Sequence, residues 1–165
     1  MKTEIFLGLG TNLGEREENL KKALTMIGEL IDKVVLCSSV YETEPWGFNS
    51  ENEFLNMALM LRTDMKPSGL FGRILMIEAQ SGRYRVGKGY TSRIIDIDIL
   101  LYGNKIIDKA GLKIPHPLIQ ERKFVLVPLC DIAGEMMHPV LNKTFSALLK
   151  ECKDKKGVKL YTQRF

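Results

Sequence analysis

Hydrophobic and polar positions alternate between two periods along this chain. Thr3–Leu9 is a short apolar run of strand length, closed by the glycine-punctuated stretch Gly8-Leu9-Gly10-Thr11-Asn12-Leu13-Gly14. Leu20, Ala23, Leu24, Ile27 and Ile31 then recur at helical spacing, an apolar stripe, with Glu15, Glu17 and Glu18 in the first turn, where the helix dipole favours acids. Val34–Tyr41 is β-branched and reads as a second strand, broken by Glu44-Pro45-Trp46-Gly47. Phe54–Leu61 is a third strand. A second helix opens at Pro67 and closes at Gly82, with Leu70, Ile74 and Ile77 inward. Ile94–Tyr102 is a fourth strand. The order βαββαβ predicts an α+β fold, a ferredoxin-like antiparallel sheet with both helices on one face. The remaining residues, 103–165, form a less patterned C-terminal extension. It holds strand candidates at Ile106-Ile107 and Leu112–Ile114, a helix around Phe145–Cys152 and a lysine-rich end.

Composition narrows the class. With 165 residues, 45% hydrophobic and 27% charged, one domain spanning 1–165 is expected, and disorder, collagen and coiled coil are excluded. No apolar run approaches the ~20 residues of a membrane span. Met1-Lys2-Thr3-Glu4 places an acid where a signal peptide is basic and apolar. Three widely spaced cysteines, Cys37, Cys130 and Cys152, fit a reducing cytoplasm better than a disulfide framework. A net charge of +4 admits an anionic ligand but is too weak to argue for nucleic acid.

The sharpest chemical signal is Arg93-Ile94-Ile95-Asp96-Ile97-Asp98-Ile99-Leu100. On a strand, Asp96 and Asp98 point to one face with α-carbons roughly 6.5–7 Å apart. Two like charges at that separation repel by roughly 2–3 kcal/mol at an effective dielectric of 20. A cation between them reverses the sign, and Mg²⁺ is commonly held by one or two carboxylates plus waters and phosphates. A solvent-facing edge strand carrying two acids is the plainer alternative. The preceding loop favours the metal. Arg83, Arg85, Lys88 and Arg93 occur among Gly82, Gly87 and Gly89 with no acid between them. Arginine forks suit phosphate oxygens, and arginines beside metal-holding carboxylates are the parts of phosphoryl transfer.

Other motifs carry less. Gly8-x-Gly10-x-x-x-Gly14 has its third glycine one residue late for a dinucleotide loop, and no acid lies at the required offset. A tight turn into the first helix is the simpler account of these glycines. No Gly-Lys-Ser/Thr of a Walker A loop occurs. An RNA-binding module on the same topology would want an aromatic central strand rather than two acids. His116, held between Pro115 and Pro117, is a candidate ligand contact, whereas His138 reads as structural. Trp46 and Phe54 flank a loop with Asn52 and Asn56, and an aromatic with a side-chain amide could seat a flat heterocycle by stacking and amide pairing, although core packing is the plainer account of Phe54 alone.

In order and spacing these segments resemble the 6-hydroxymethyl-7,8-dihydropterin pyrophosphokinase family of folate biosynthesis. The likeness runs from Gly8–Gly14 through Ser39–Gly47, Phe54-Leu55-Asn56, Glu78, Gly82-Arg83-Tyr84-Arg85 and Arg93–Leu100. It ends with Ile114-Pro115-His116-Pro117, Arg122 and Phe124–Leu129. The resemblance implies transfer of pyrophosphate from the co-substrate ATP to the pterin hydroxymethyl group, releasing AMP. It implies that Asp96 and Asp98 bind two Mg²⁺ ions and that Arg83 and Arg93 are catalytic. Glu78, Arg85, Ile99, His116 and Arg122 are implied at the ATP site. For the pterin, Phe54 and Phe124 would sandwich the ring, Asn56 would pair with its edge, and Thr43, Glu44 and Trp46 would add backbone contacts. ATP and the pterin would be its partners, with no nucleic acid, no membrane and a monomeric chain. The family's arginine loop usually reads Trp-Gly-Pro-Arg, whereas this chain has Tyr90-Thr91-Ser92-Arg93.

Overall fold

A computed structural model describes residues 1–82, 94–163 and 165. The elements run β1 (Thr3–Thr11), α1 (Arg16–Leu30), β2 (Val34–Cys37), β3 (Val40–Thr43), β4 (Phe54–Thr63) and α2 (Pro67–Gln80). They continue with β5 (Asp96–Tyr102), β6 (Ile107–Lys109), β7 (Leu112–Ile114), a turn of 3-10 helix at Ile119–Glu121, α3 (Lys123–Ala133), α4 (Phe145–Glu151) and β8 (Val158–Thr162).

The main sheet has the order β5-β1-β4-β3-β8, with β2 also paired to β4. All of its pairings are antiparallel. Strands β2 and β3 lie end to end along the same side of β4, against Leu59–Leu61 and Phe54–Asn56 respectively. Taken as one broken strand they complete the expected βαββαβ order. Ser38 makes the break: its amide donates to the Ala58 carbonyl at 2.9 Å, and its hydroxyl accepts from the Ala58 amide at 2.8 Å. A side-chain oxygen there replaces a backbone acceptor, and the strand restarts beyond it.

Alternation along the strands builds two cores. Ile5, Leu7 and Leu9 of β1 and Leu55, Met57, Leu59 and Leu61 of β4 face Leu20, Ala23 and Ile27 of α1 and Leu70, Ile74 and Ile77 of α2. Both helices therefore cover one face, as the sequence predicts. The opposite face carries Phe6, Met60, Leu100 and Leu101 beneath Val125, Leu126 and Leu129 of α3 and Phe145 and Leu148 of α4. The register of β1 against β5 slips between Phe6 and Leu7, which brings the neighbours Leu100 and Leu101 into the same core. His138 is structural, as expected. It is buried beside α4, and its Nδ1 accepts from the amides of Val140 and Leu141 at 3.1 and 3.0 Å.

Three elements depart from the sequence reading. Strand β1 continues through Gly8 and Gly10 to Thr11, and Gly14, with φ of 69°, is the glycine that turns the chain. Helix α3 forms although Pro128 lies inside it, because its apolar side closes the second core. The lysine-rich end contains β8, which adds to the free side of β3.

Candidate active site

The second face is open at one end of the sheet, and the register defines what lies there. Gly10 pairs with Asp96 on one side and Asn56 on the other, while Gly8 pairs with Asp98 and Ala58. Two strand spacings, roughly 9–10 Å, separate the carboxylate row from Asn56. The residues between them have no side chains. A Cβ placed on Gly10 would lie 2.6 Å from Asn56 Oδ1, and one on Gly8 would touch the Leu100 side chain at 3.4 Å. The glycines are a floor, which corrects their reading as a turn.

Over this floor is a pocket of about 430 Å³ lined by Thr43, Glu44, Trp46, Phe48, Phe54, Asn56, Asp96, Asp98, Arg122 and Phe124. The β3–β4 loop supplies Trp46 and Phe48, and the start of α3 supplies Phe124. Asn56 is buried and donates through Nδ2 to Thr43 Oγ1, which leaves its carbonyl oxygen turned toward Gly10. Phe48 meets Phe54 edge-on, with centroids 6.1 Å apart. The Arg122 guanidinium lies 4.7 Å from the Trp46 ring centre and 5.7 Å from that of Phe124. Arg122 thus lines this aromatic pocket. Cation–π contact holds the two rings against a fixed cation.

A second, larger trough of about 790 Å³ is lined by Phe71, Ile97, Asp98, Ile99, Leu112, Lys113 and His116. Asp98 belongs to both walls. Among the described residues strand β5 is the sheet edge here, and two of its outward backbone groups are taken by a side chain and a loop. Buried Glu78 of α2 accepts from the Ile97 amide at 3.0 Å, between the two aspartates, and the His116 amide donates to the Leu100 carbonyl at 3.0 Å. Glu78 thereby fixes the stretch of backbone that carries both carboxylates.

The His116 ring has one nitrogen committed. Its Nδ1 accepts from the Leu118 amide at 3.2 Å, so the neutral ring carries its proton on Nε2. Burial chiefly, with the Arg122 charge adding, lowers its pKa to about 4, against a smaller opposing pull from Asp96. The unfolded chain takes up this proton near pH 6.5, while the folded one stays neutral until about pH 4. His116 therefore opposes folding increasingly as pH falls through that window. Urea midpoints at pH 7.5 and 4.5 should differ less for His116→Gln than for the wild type. Equal pH dependence would place the ring in a solvated, unperturbed setting.

The donor set at 96 and 98 suits Mg²⁺. Two hard carboxylate oxygen donors on one strand face, beside a side-chain-free floor, leave room for waters and phosphate oxygens to complete the coordination. Among the described residues no three His, Cys, Asp or Glu side chains converge on one ion. A magnesium site shared with substrate phosphates requires only the pair. Of the other expected residues, Thr43, Glu44, Trp46, Phe54, Asn56 and Phe124 come together in the aromatic pocket, and Ile99 and His116 in the trough. Arg83, Arg85 and Arg93 lie outside the described residues. Phe48 and Gly10 were missed in the sequence. The aromatic at 48 follows Trp46 at strand spacing in the same loop, which was the available signal.

One cavity over the open sheet face and a second along the β5 edge, with Asp98 lining both, make the ground plan of a two-ligand site. The chain belongs to the 7,8-dihydro-6-hydroxymethylpterin-pyrophosphokinase (HPPK) family, which it matches over residues 6–134. It is 37% identical over 155 residues to the 2-amino-4-hydroxy-6-hydroxymethyldihydropteridine pyrophosphokinase of Aquifex aeolicus, covering 94% of this chain and 93% of that one. It is 40% identical over 138 residues to the enzyme of the same name from Porphyromonas gingivalis, covering 82% and 93%. Its fold is similar to a crystal structure of HPPK-DHPS in complex with substrates, at a TM-score of 0.75 and 16% identity. It covers 91% of this chain and spans 43% of that one. Plasmodium falciparum HPPK-DHPS with pteroate gives a TM-score of 0.76 at 17% identity, over 92% of this chain and 44% of that one.

Proposed function

We propose that this chain transfers the pyrophosphoryl group of ATP to the hydroxymethyl oxygen of 6-hydroxymethyl-7,8-dihydropterin, with Asp96 and Asp98 as its Mg²⁺ ligands. The observation that carries the reading is Asp98, which lines both the aromatic pocket and the trough and so faces a ligand in either. The pterin takes the aromatic pocket. A flat, nearly neutral ring needs stacking and a matched edge. Phe54 and Phe124 provide the first, and the Asn56 amide, oriented by Thr43, with the backbone from Thr43 to Trp46, provides the second. ATP takes the trough, with Ile99 against the nucleotide and the His116 Nε2–H donating to it.

Mg²⁺ held by the two carboxylates would neutralise phosphate charge and acidify the attacking hydroxyl. Glu78 keeps β5 in register for that purpose, and the Trp46–Arg122–Phe124 stack fixes the walls that exclude water around the ring. Arg83 and Arg93 grip the phosphates as charge develops, and Arg85 adds a contact to ATP. Arg122 lines the aromatic pocket while its charge acts on His116 in the trough, and from there it contacts ATP. Residues 1–165 act as one domain, in the cytoplasm and as a monomer, without nucleic acid or membrane partners. Among the described residues no helix is long and apolar enough to cross a membrane.

The nucleotide product tests the reading. Incubation with ATP, Mg²⁺ and 6-hydroxymethyl-7,8-dihydropterin should yield AMP and the pterin pyrophosphate in equal amounts on anion-exchange chromatography. ADP as the product would mean transfer of a single phosphoryl group and would overturn it.

A further inference from the structure

Two walls of the aromatic pocket are tied to a single stretch of chain beyond the region that matches the family. Residues 154–157 run from α4 into β8. Asp154 accepts from the Lys123 amide through Oδ2 at 3.0 Å and from the Lys156 amide through Oδ1 at 2.9 Å. Lys123 lies between Arg122 and Phe124, both lining the pocket. Gly157 donates its amide to Glu44 Oε2 at 2.8 Å, and its carbonyl accepts from the Glu44 amide at 3.2 Å. Glu44 follows Thr43 and precedes Trp46 by two residues, again both in the wall. Strand β8 continues from there, pairing Val158 with Thr43.

We propose that the 154–157 segment sets the gap between the β3–β4 loop and the start of α3, so that Asp154 and Gly157 are positioning residues for the pterin ring. Asp154 satisfies an orphan amide in the first turn of α3 and fixes where Phe124 and Arg122 stand. The Glu44–Gly157 pair fixes the strand end from which Trp46 departs. Neither Asp154 nor Gly157 is among the residues that line the aromatic pocket. Both act through a neighbour. A ring sandwiched between aromatic faces is sensitive to their separation, because dispersion falls off within about 1 Å of radial gap. The trough lined by Ile99 and His116 shares neither tie. The inference rests on the aromatic pocket being the pterin site.

The test separates the two substrates. Asp154→Ala and Glu44→Ala should each raise the pterin KM about three- to tenfold, the range expected for one lost hydrogen bond. For Asp154→Ala, which lies outside the pocket lining, the ATP KM and the kcat at saturation of both substrates should stay within about twofold. Quenching of Trp46, the one tryptophan of the chain, by the dihydropterin should report the same loss of affinity without turnover. Glu44→Gln, which keeps an acceptor oxygen for the Gly157 amide, should recover most of it, and Asp154→Asn, which keeps one oxygen for two amides, should recover part. Tyr161→Phe removes a bond from β8 to Glu17 on α1 and should leave every constant unchanged. Unchanged pterin affinity in both alanine variants, equal shifts for ATP and pterin, or loss of folding in both would overturn the proposal. A wild-type protein that turns over the pterin while both variants match it refutes the positioning alone, whereas a wild-type protein that does not bind the pterin refutes the site assignment as well.

Discussion

Asp96→Asn and Asp98→Asn should each lower kcat on the order of a thousandfold, about 4 kcal/mol of barrier, with the fold intact. Asn keeps the shape of the side chain and one oxygen, but it removes the charge that makes the pair a divalent-ion site. The two positions lie on one strand face opposite Gly10 and Gly8, so each change removes half of the donor set. Stability should not follow activity. The backbone around them is fixed by Glu78 at Ile97, which neither substitution touches. The secondary structure should therefore stay intact by circular dichroism in metal-free buffer. A near-normal kcat in either variant at saturating Mg²⁺ would remove the pair from the mechanism.

Gly10→Ala should have the next largest effect, and on the other substrate. The added methyl would lie 2.6 Å from Asn56 Oδ1 and 3.6 Å from Phe54 Cδ1. Asn56 cannot move freely, since it is buried and bonded to Thr43 Oγ1. The amide would have to leave the position from which it pairs with the ring edge. One or two hydrogen bonds lost to a buried ligand predict an approximately 10–100-fold weaker pterin affinity. The ATP KM should change far less, because the trough does not include Gly10. Isothermal titration with the dihydropterin measures this directly, and wild-type affinity in Gly10→Ala would show that Asn56 does not read the ring.

These two sites were unequally legible in the sequence. The carboxylates could be placed together from alternation alone, because a strand's period of two puts 96 and 98 on one face whatever its partners are. The βαββαβ order and the apolar stripe of α1 followed from local periodicity in the same way. The glycine floor did not. Glycine weakens a strand locally, so Gly8 and Gly10 read as the end of β1, and only pairing with β4 and β5 on both sides carries the strand through to Thr11. Helix α3 was hidden by Pro128, whose local penalty is offset by burial against Phe6, Met60 and Leu100. Strand β8 was hidden by the lysine-rich run before it and by its exposed residues Lys159, Leu160 and Tyr161, which suit a sheet edge. Arg122 was legible as a ligand contact, but its approach to the Trp46 and Phe124 rings was not, because it brings together a loop and a helix start distant in sequence.

Metal stoichiometry tests the central claim most directly. With a non-hydrolysable ATP analogue and the pterin both saturating, titration with Mn²⁺ followed by electron paramagnetic resonance should show two ions bound per wild-type chain. Asp96→Asn and Asp98→Asn should each lose at least one of them. Full occupancy in both variants would mean that the ions are held elsewhere, and that the acidic pair is only a solvated strand edge.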